Sequence, residues 1–400
     1  MSQKFPLYDH PAQMEPLLPS EARSRELLER AGDLIRASDR LSGACQPGAL
    51  SGLRTLLLAM NSYYSNKLEG QHTLPLEIEQ ALRNDYSADA DKARRQRLAL
   101  AHMATEAQLQ KQWPAWDAAR VWSAQMVSEI HQDLFARLPE VDRTLPDGET
   151  LEPGAWREKQ VSVGIHAAPD AAHLQAFLAR WASVYGGVRR GEMAVIAAAA
   201  GHHRLAWIHP FRDGNGRVVR LHTHLALGQM GLTNGLWSPL RGFARTHEAY
   251  YAHLAAADSH RAGDLDGRGN LSEAALVRWI GYVLEVCMDQ VTFMTAQLDL
   301  PSMKDRMEAC LAFEEKVVRA GVRSEAVRGL HYLFASQGEL ERADFKTMLG
   351  LGDRAASSQV AALLQRGLLL SDSPYGKLRM GVPQHALRFY FPKLWPEAEG

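Results

Sequence analysis

Residues 209–220 read HPFRDGNGRVVR, and four kinds of chemically useful group crowd into that stretch. Gly214 and Gly216 flank Asn215 where a helical pattern begins, so the backbone can turn several N–H groups outward at a helix N-terminus. A phosphate is the natural guest of such a nest. Arg217 and Arg220 stand three apart on the first turns of the same helix and offer forked donors to further phosphate oxygens. Asp213, just before the nest, is placed to hold a Mg2+ that bridges phosphate oxygens. His209 precedes the turn and has the titration range of a general base. The sum is phosphoryl-type transfer: bind a polyphosphate, hold its metal and deprotonate an incoming hydroxyl. A Gly-Asn-Gly turn alone is common, and a histidine before proline is ordinarily a loop residue. The case rests on all of these residues at this spacing.

The chain that must position them has 400 residues, enough for two or three domains. It is 46% hydrophobic and 23% charged, as soluble globular proteins are. Lys plus Arg (45) nearly balances Asp plus Glu (46), so no global basic footprint points to nucleic acid or membrane. The three cysteines, Cys45, Cys287 and Cys310, form no CxxC pair; they argue against a disulfide framework and fit a reducing cytoplasm. The N-terminus has no apolar signal core, and no apolar run reaches the roughly eighteen residues of a membrane span. A cytoplasmic location, with no membrane partner, is expected.

Helical periodicity dominates. It runs through LLERAGDLIRASDRL, LSGLRTLLLAMNSYYSNKLEG, LPLEIEQALRN, RRQRLALAHMATEAQLQKQW and AARVWSAQMVSEIHQDLFARL. The first 20 residues are proline-rich and read as extended. LPDGETLEPGAW has loop chemistry, and REKQVSVGIHAAP alternates around a glycine as a short hairpin does. Helices follow at 171–186, 190–206 and after the 209–213 turn, then through THEAYYAHLAAADSH and LSEAALVRWIGYVLEVCMDQVTFMTAQL. After about residue 300, three shorter helices and a strand–turn–strand (LLLSDSPYGKLRMGV) make a winged-helix pattern.

HPFRDGNGRVVR resembles, at every defined position, the Fic family signature H-x-F-x-[DE]-G-N-G-R-x-x-R. The similarity extends to AVIAAAAGHHRLAWIHPF, REKQVSVGIHAAP, YYAHL and the tail, over roughly residues 50–380. The resemblance implies a mainly α fold: a Fic-type helical core with a small β-hairpin flap, followed by a C-terminal winged-helix-like domain. The expected divisions are 1–110 (helical, carrying an inhibitory helix), 111–300 (catalytic core) and 301–400. It implies a protein adenylyltransferase with ATP as substrate and Mg2+ as cofactor. His209 would deprotonate a Ser, Thr or Tyr hydroxyl of an unidentified target protein. Phe211 would anchor the loop, and Asp213 would bind Mg2+. Gly214, Asn215 and Gly216 would hold the α- and β-phosphates, and Arg217 and Arg220 the β- and γ-phosphates. AMP would remain on the target.

SNKLEG (65–70) fits the family's inhibitory signature [ST]-x-x-x-E-[GN]. Ser65 and Glu69 are i and i+4 on one helix face, and Gly70 can supply the left-handed turn that ends the helix. A carboxylate at a helix C-terminus asks for an external cation, and the resemblance makes Arg220 that cation, with ATP then bound unproductively. Taken alone, Ser65 and Glu69 also fit an ordinary polar helix end. Bifunctional family members leave open that Glu69 orients water for AMP removal. Self-modification and a homodimer are further possibilities the resemblance allows.

The resemblance makes Val161, Ser162, Val163, Gly164 and Ile165 a flap that docks a target segment by strand addition; a plain surface hairpin is the other reading. Tyr250 and Tyr251 stand where the family stacks adenine, and one of the two should face the core. His202, His203, His222 and His224 lack HExxH-type zinc spacing and read as core or surface histidines. DLDGRGN lacks the ligands of a calcium loop, and there is no P-loop. In the tail, Arg354, Arg366, Lys377 and Arg379 stand against Asp353 and Asp372, a small surplus for a DNA reader. Protein docking or a structural role is the stronger expectation there. The rival function is a regulator that senses nucleotide in the Fic core and binds DNA through the winged helix.

Overall fold

The structure, a computed structural model, describes all residues except 1–7, 45–49, 164–165, 189, 337 and 395–400. The elements are α1 Glu21–Ala44, α2 Leu50–Leu68, α3 Pro75–Leu82, α4 Ala90–Gln112, α5 Ala118–Val121 and α6 Ala124–Ala136. The hairpin β1 Ser162–Val163 and β2 His166–Ala167 comes next. Then follow α7 Leu174–Tyr185, α8 Glu192–Ile208, α9 Asn215–Gln229, α10 Leu240–Arg245, α11 His247–Ala257 and α12 Glu273–Gln297. The rest is α13 Leu300–Phe313, α14 Val327–Ala335, α15 Arg342–Leu349, α16 Asp353–Gln365, β3 Leu369–Leu370, β4 Arg379–Met380 and α17 Gln384–Tyr390. The chain forms two compact units, Met1–Ser38 with Asn61–Val291, and Asp39–Met60 with Thr292–Gly400. The boundary expected at residue 110 falls inside α4 and inside the first unit. Among the described residues no helix is long and apolar enough to cross a membrane.

The first unit is built around α8 and α9. Nearly every residue of α8 from Ala194 to Ile208 is buried, polar ones included. Its alanine run explains why: small side chains on all faces let neighbouring helices approach on every side. At Gly201 a Cβ would lie 2.4 Å from the Trp122 ring, and at Gly228 of α9 2.5 Å from Trp113, so both positions require glycine. Buried histidines stitch this core. The Thr223 hydroxyl donates to the Val219 carbonyl, so His202 Nδ1–H donates to Thr223 and its Nε2 accepts from the Tyr250 hydroxyl at 3.0 Å. His222 Nε2 lies 2.9 Å from the Val121 carbonyl, to which it donates. The N-terminal segment, expected to be extended, instead carries a 3-10 turn at Pro11–Met14, capped by His10; beyond it the Leu17 carbonyl accepts from Tyr185, and the Pro16 carbonyl from the buried Arg204.

Local sequence sets the helix ends. Ser123 caps α6 by accepting from Met126 N at 3.0 Å, and Asp89 caps α4 through Lys92 N at 2.9 Å. α2 stops in a Schellman turn: Gly70, at φ 67°, donates to the Lys67 carbonyl, and Gln71 N donates to Asn66 O. In the second unit α14, α15 and α16 precede an antiparallel β3–β4 hairpin, extended by a bridge from Leu340 to Leu378. The periodicity had not marked α13 or α17; their apolar faces, Met303, Met307, Cys310, Leu387 and Tyr390, are buried in that unit's core. There Arg366 pairs with the buried Glu314 at 2.7 and 2.9 Å, Arg379 with Asp372 and Glu339, and Lys377 with Glu341.

Candidate functional site

The 209–214 loop joins α8 to α9, and several local features shape it. Helix α8 ends at Ile208 because Pro210 cannot continue it. His209 takes a left-handed conformation, φ 50° and ψ 63°, uncommon for a residue with a side chain. Phe211 is fully buried, with its ring stacked on His131 at 3.9 Å and on Trp156 at 5.0 Å. The Asn215 side chain closes the loop: its Oδ1 accepts from Phe211 N at 2.9 Å, and its Nδ2 donates to Phe211 O at 2.8 Å. The sequence suggested an anion ligand at this position. The side chain is committed to the loop, and only the backbone N–H of Asn215 remains for an anion. Asp213 Oδ1 accepts from Gly214 N at 2.7 Å, which orients the carboxylate.

Gly214 sits at φ 79°, where a Cβ would lie 2.4 Å from the Phe135 ring. Both the backbone angle and the close approach require glycine here. A Gly214→Ala variant is expected to lose about 2–4 kcal/mol of stability from combined strain and overpacking. Urea denaturation measures this, and an unshifted midpoint would show that the loop does not depend on the turn.

The Ser65–Gly70 segment, expected from its sequence to be inhibitory, meets the 209–220 motif directly. Glu69 Oε1 lies 2.6 Å from Arg220 Nη2. Arg220 also donates to the Ser65 hydroxyl at 3.1 Å and to the Ser65 carbonyl at 2.9 Å. That carbonyl is one of those left without a partner by the end of α2, so Arg220 both pairs with Glu69 and caps the helix. Two more ties were not legible in the sequence: Arg217 Nη2 donates to Gln71 at 2.8 Å, and the Tyr251 hydroxyl donates to the Leu68 carbonyl at 2.9 Å. A Cβ on Gly216 would fall 2.2 Å from Glu69 Oε1. The carboxylate therefore lies against the first turn of α9, where the unpaired N–H groups of a helix N-terminus attract an anion. Burial acts to raise the Glu69 carboxyl pKa, but Arg220 and Arg217 outweigh it and hold it below the usual value.

Beside this contact is a cavity of about 260 Å3 that brings His209, Gly216, Arg220, Tyr250 and Tyr251 together. Burial first, then His166 and Arg157, push the His209 pKa down to about 4 against the opposing Ala206 carbonyl and Glu69. Its imidazole is thus neutral and able to accept a proton at physiological pH. Of the two tyrosines, Tyr250 is the one that faces the core, at 2% exposure, while Tyr251 is exposed at the cavity mouth. Trp207, Leu254 and Ala255 add apolar wall, and Asp258, paired with His203 at 3.1 Å, lies at the rim.

Of the flap residues, Ser162 and Val163 pair with Ala167 and His166, and the Val161 carbonyl accepts from Ala168 N at 3.2 Å. Gly164 and Ile165 lie outside the described residues. Sequence reasoning passed over His131, Arg157 and His166. His131 Nδ1 accepts from Gly154 N at 2.8 Å, so its Nε2–H faces the Asp213 carbonyl at 3.3 Å. His166 Nε2 donates to the Trp207 carbonyl at 2.8 Å and ties β2 to the end of α8. Arg157 reaches the His209 carbonyl at 2.8 Å.

Fold and site together define a mainly α protein with two buried arginines, Arg217 and Arg220, on the first turns of α9 beside the loop that joins it to α8. Residues 121–227 match the Fic/DOC family. The protein adenylyltransferase Fic of Aedes aegypti is 27% identical over 195 residues, covering 46% of this chain and 36% of that protein. Its counterpart in Drosophila ananassae is 30% identical over 160 residues, 40% of this chain and 29% of that protein. The chain spans about a third of the length of the curated relatives it matches. A Fic family protein from Desulfovibrio desulfuricans G20 shares the fold with a TM-score of 0.54 at 19% identity, over 92% of this chain and 99% of that one.

Proposed function

We propose that this chain is an autoinhibited protein adenylyltransferase that transfers AMP from ATP to a hydroxyl of a target protein. The observation that carries the reading is the meeting of a neutral, half-buried His209 with the Gly216–Arg220 anion site in one cavity. The α- and β-phosphates sit on the α9 N-terminus, Arg217 and Arg220 hold the outer phosphates, and the base enters among Tyr251, Leu254 and Trp207. The target hydroxyl attacks the α-phosphorus and gives its proton to the His209 ring. The bond from the α-phosphorus to the bridging oxygen breaks, and pyrophosphate leaves. The outer edge of the hairpin at Val161–Val163 presents the target backbone.

Among the described residues no group of three His, Cys, Asp or Glu side chains is placed to hold a metal. A single oriented carboxylate, Asp213, fits a Mg2+ held mostly by phosphate oxygens and water. When bound, the ion supplies charge neutralisation on the pyrophosphate as it departs. The DNA-binding alternative has less support, since Arg366, Lys377 and Arg379 already face carboxylates.

The test is to incubate the Glu69→Gly variant with α-labelled or γ-labelled ATP and Mg2+, with and without cell lysate. Label is expected on protein from the α position only, on the variant itself or on a lysate protein. Transfer of the γ-label would mean kinase chemistry and overturn the proposal.

A further inference from the structure

Arg157 is 2% exposed, yet every hydrogen-bond partner of its guanidinium is a backbone carbonyl. Nε donates to His209 O at 2.8 Å, Nη1 to Lys159 O at 3.1 Å, and Nη2 to Pro169 O and, at 3.5 Å, to Ile208 O. Its own backbone N–H donates to Pro210 O at 3.0 Å. These partners fall into two sets. Lys159 and Pro169 are the two legs of the β1–β2 hairpin, one before β1 and one after β2. Ile208, His209 and Pro210 are the turn that aims the imidazole into the cavity.

Burying a guanidinium is costly, and a group that only filled space would be better replaced by an apolar side chain. The planar fork of arginine reaches carbonyls in several fixed directions, which an ammonium on a single flexible stem does not. The His209 turn needs such a restraint. It is a left-handed residue with a side chain, followed by proline, and its carbonyl is not held within α8. His166 adds a second link of the same kind, from β2 to Trp207 O.

We propose that Arg157 is a positioning residue that fixes the hairpin holding the target segment against the imidazole of His209, so that an incoming hydroxyl meets the base in register. The proposal rests on the function proposed above, and it predicts a particular division of effects. Arg157 does not line the nucleotide cavity. Its loss should therefore slow transfer and leave nucleotide binding nearly intact.

The experiment places Arg157→Lys in the Glu69→Gly background. AMP transfer is followed with α-labelled ATP, ADP binding by calorimetry, and the His209 ring by histidine-labelled NMR across pH. The expected result is a kcat about 100-fold lower, an ADP affinity within about threefold, and a His209 titration displaced upward from about 4 towards the ordinary range. Lysine keeps the positive charge near His209, so that displacement reports lost geometry. Unchanged kcat and unchanged titration overturn the proposal. If Glu69→Gly transfers no AMP at all, the functional reading fails, and the NMR arm alone decides whether Arg157 orders His209. Should Arg157→Lys not fold, Arg157→Ala with added methylguanidinium carries the test. Recovery of transfer with methylguanidinium but not methylammonium supports the fork's role, and no recovery with either overturns it.

Discussion

Replacing Glu69 with glycine is expected to raise ATP affinity about 100-fold and to switch on AMP transfer that the wild type barely performs. Arg220 is 1% exposed and Glu69 28%. Removing one partner of a buried pair leaves the other charge uncompensated, at a cost of about 3–5 kcal/mol. Partial exposure of Glu69 places this pair at the lower end, and about 3 kcal/mol corresponds to about 100-fold in binding. In the variant, a phosphate oxygen takes over the role of compensating anion. The nucleotide-free variant should also melt earlier than wild type and recover most of the loss when ATP is added. Glu69→Gln separates charge from shape and should fall between the two. Calorimetry with ATP and the α-label assay read the effect. Equal affinity and equal labelling in wild type and Glu69→Gly would sink the inhibitory role.

The second large effect concerns His209. In the Glu69→Gly background, His209→Ala is expected to lower transfer by about 1,000-fold or more, in the range for loss of a positioned general base. ATP binding should change little, because the proposed pose holds the phosphates on α9. The pH profile gives the finer check. With the His209 pKa lowered to about 4 by burial and by His166 and Arg157, the ring is in its basic form throughout the neutral range. The profile of kcat/KM, which reports the free enzyme, should be flat from about pH 6 to about pH 8. Only at lower pH does protonation of His209 remove the base. An inflection near the ordinary histidine value of about 6.5 would place the ring in water and contradict the buried geometry.

The part of the site that was legible in the sequence is the part written in local spacing. His209 through Arg220 lie on one loop and one helix, so their order in the chain nearly fixes their order in space. Ser65, Glu69 and Gly70 share a helix end for the same reason. Their contact with Arg220, across more than a hundred residues, came from family resemblance, because a single sequence carries no distance between helices. Arg157 and His131 were missed because their partners are backbone groups. Any residue supplies a carbonyl or an N–H, so such contacts leave no pattern of residue types to read. Gln71 was missed because it lies one residue beyond the signature. Tyr250 and Tyr251 could not be told apart without knowing which side of α11 packs on Phe243 and Trp279. α13 and α17 went unmarked because apolar residues in a short helix do not by themselves say where that helix begins.

The loop held by Asn215 has a consequence for how such a protein can be governed. Its two hydrogen bonds to Phe211, with the buried ring beneath, join the Arg157 link to the His209 turn in leaving the proposed base and phosphate grip as one preassembled block. A machine whose working parts are already assembled cannot readily be restrained by loosening them, since that would sacrifice the core around which α8 and α9 pack. It can be restrained by obstruction. In the function proposed above, the end of α2 would do this, with the Glu69 carboxylate laid against Arg220 and the first turn of α9. Release then requires no refolding of the catalytic parts, only the withdrawal of a side chain. On that proposal, control would be confined to a segment that takes no part in the reaction, and could change while the machinery beneath it stays the same.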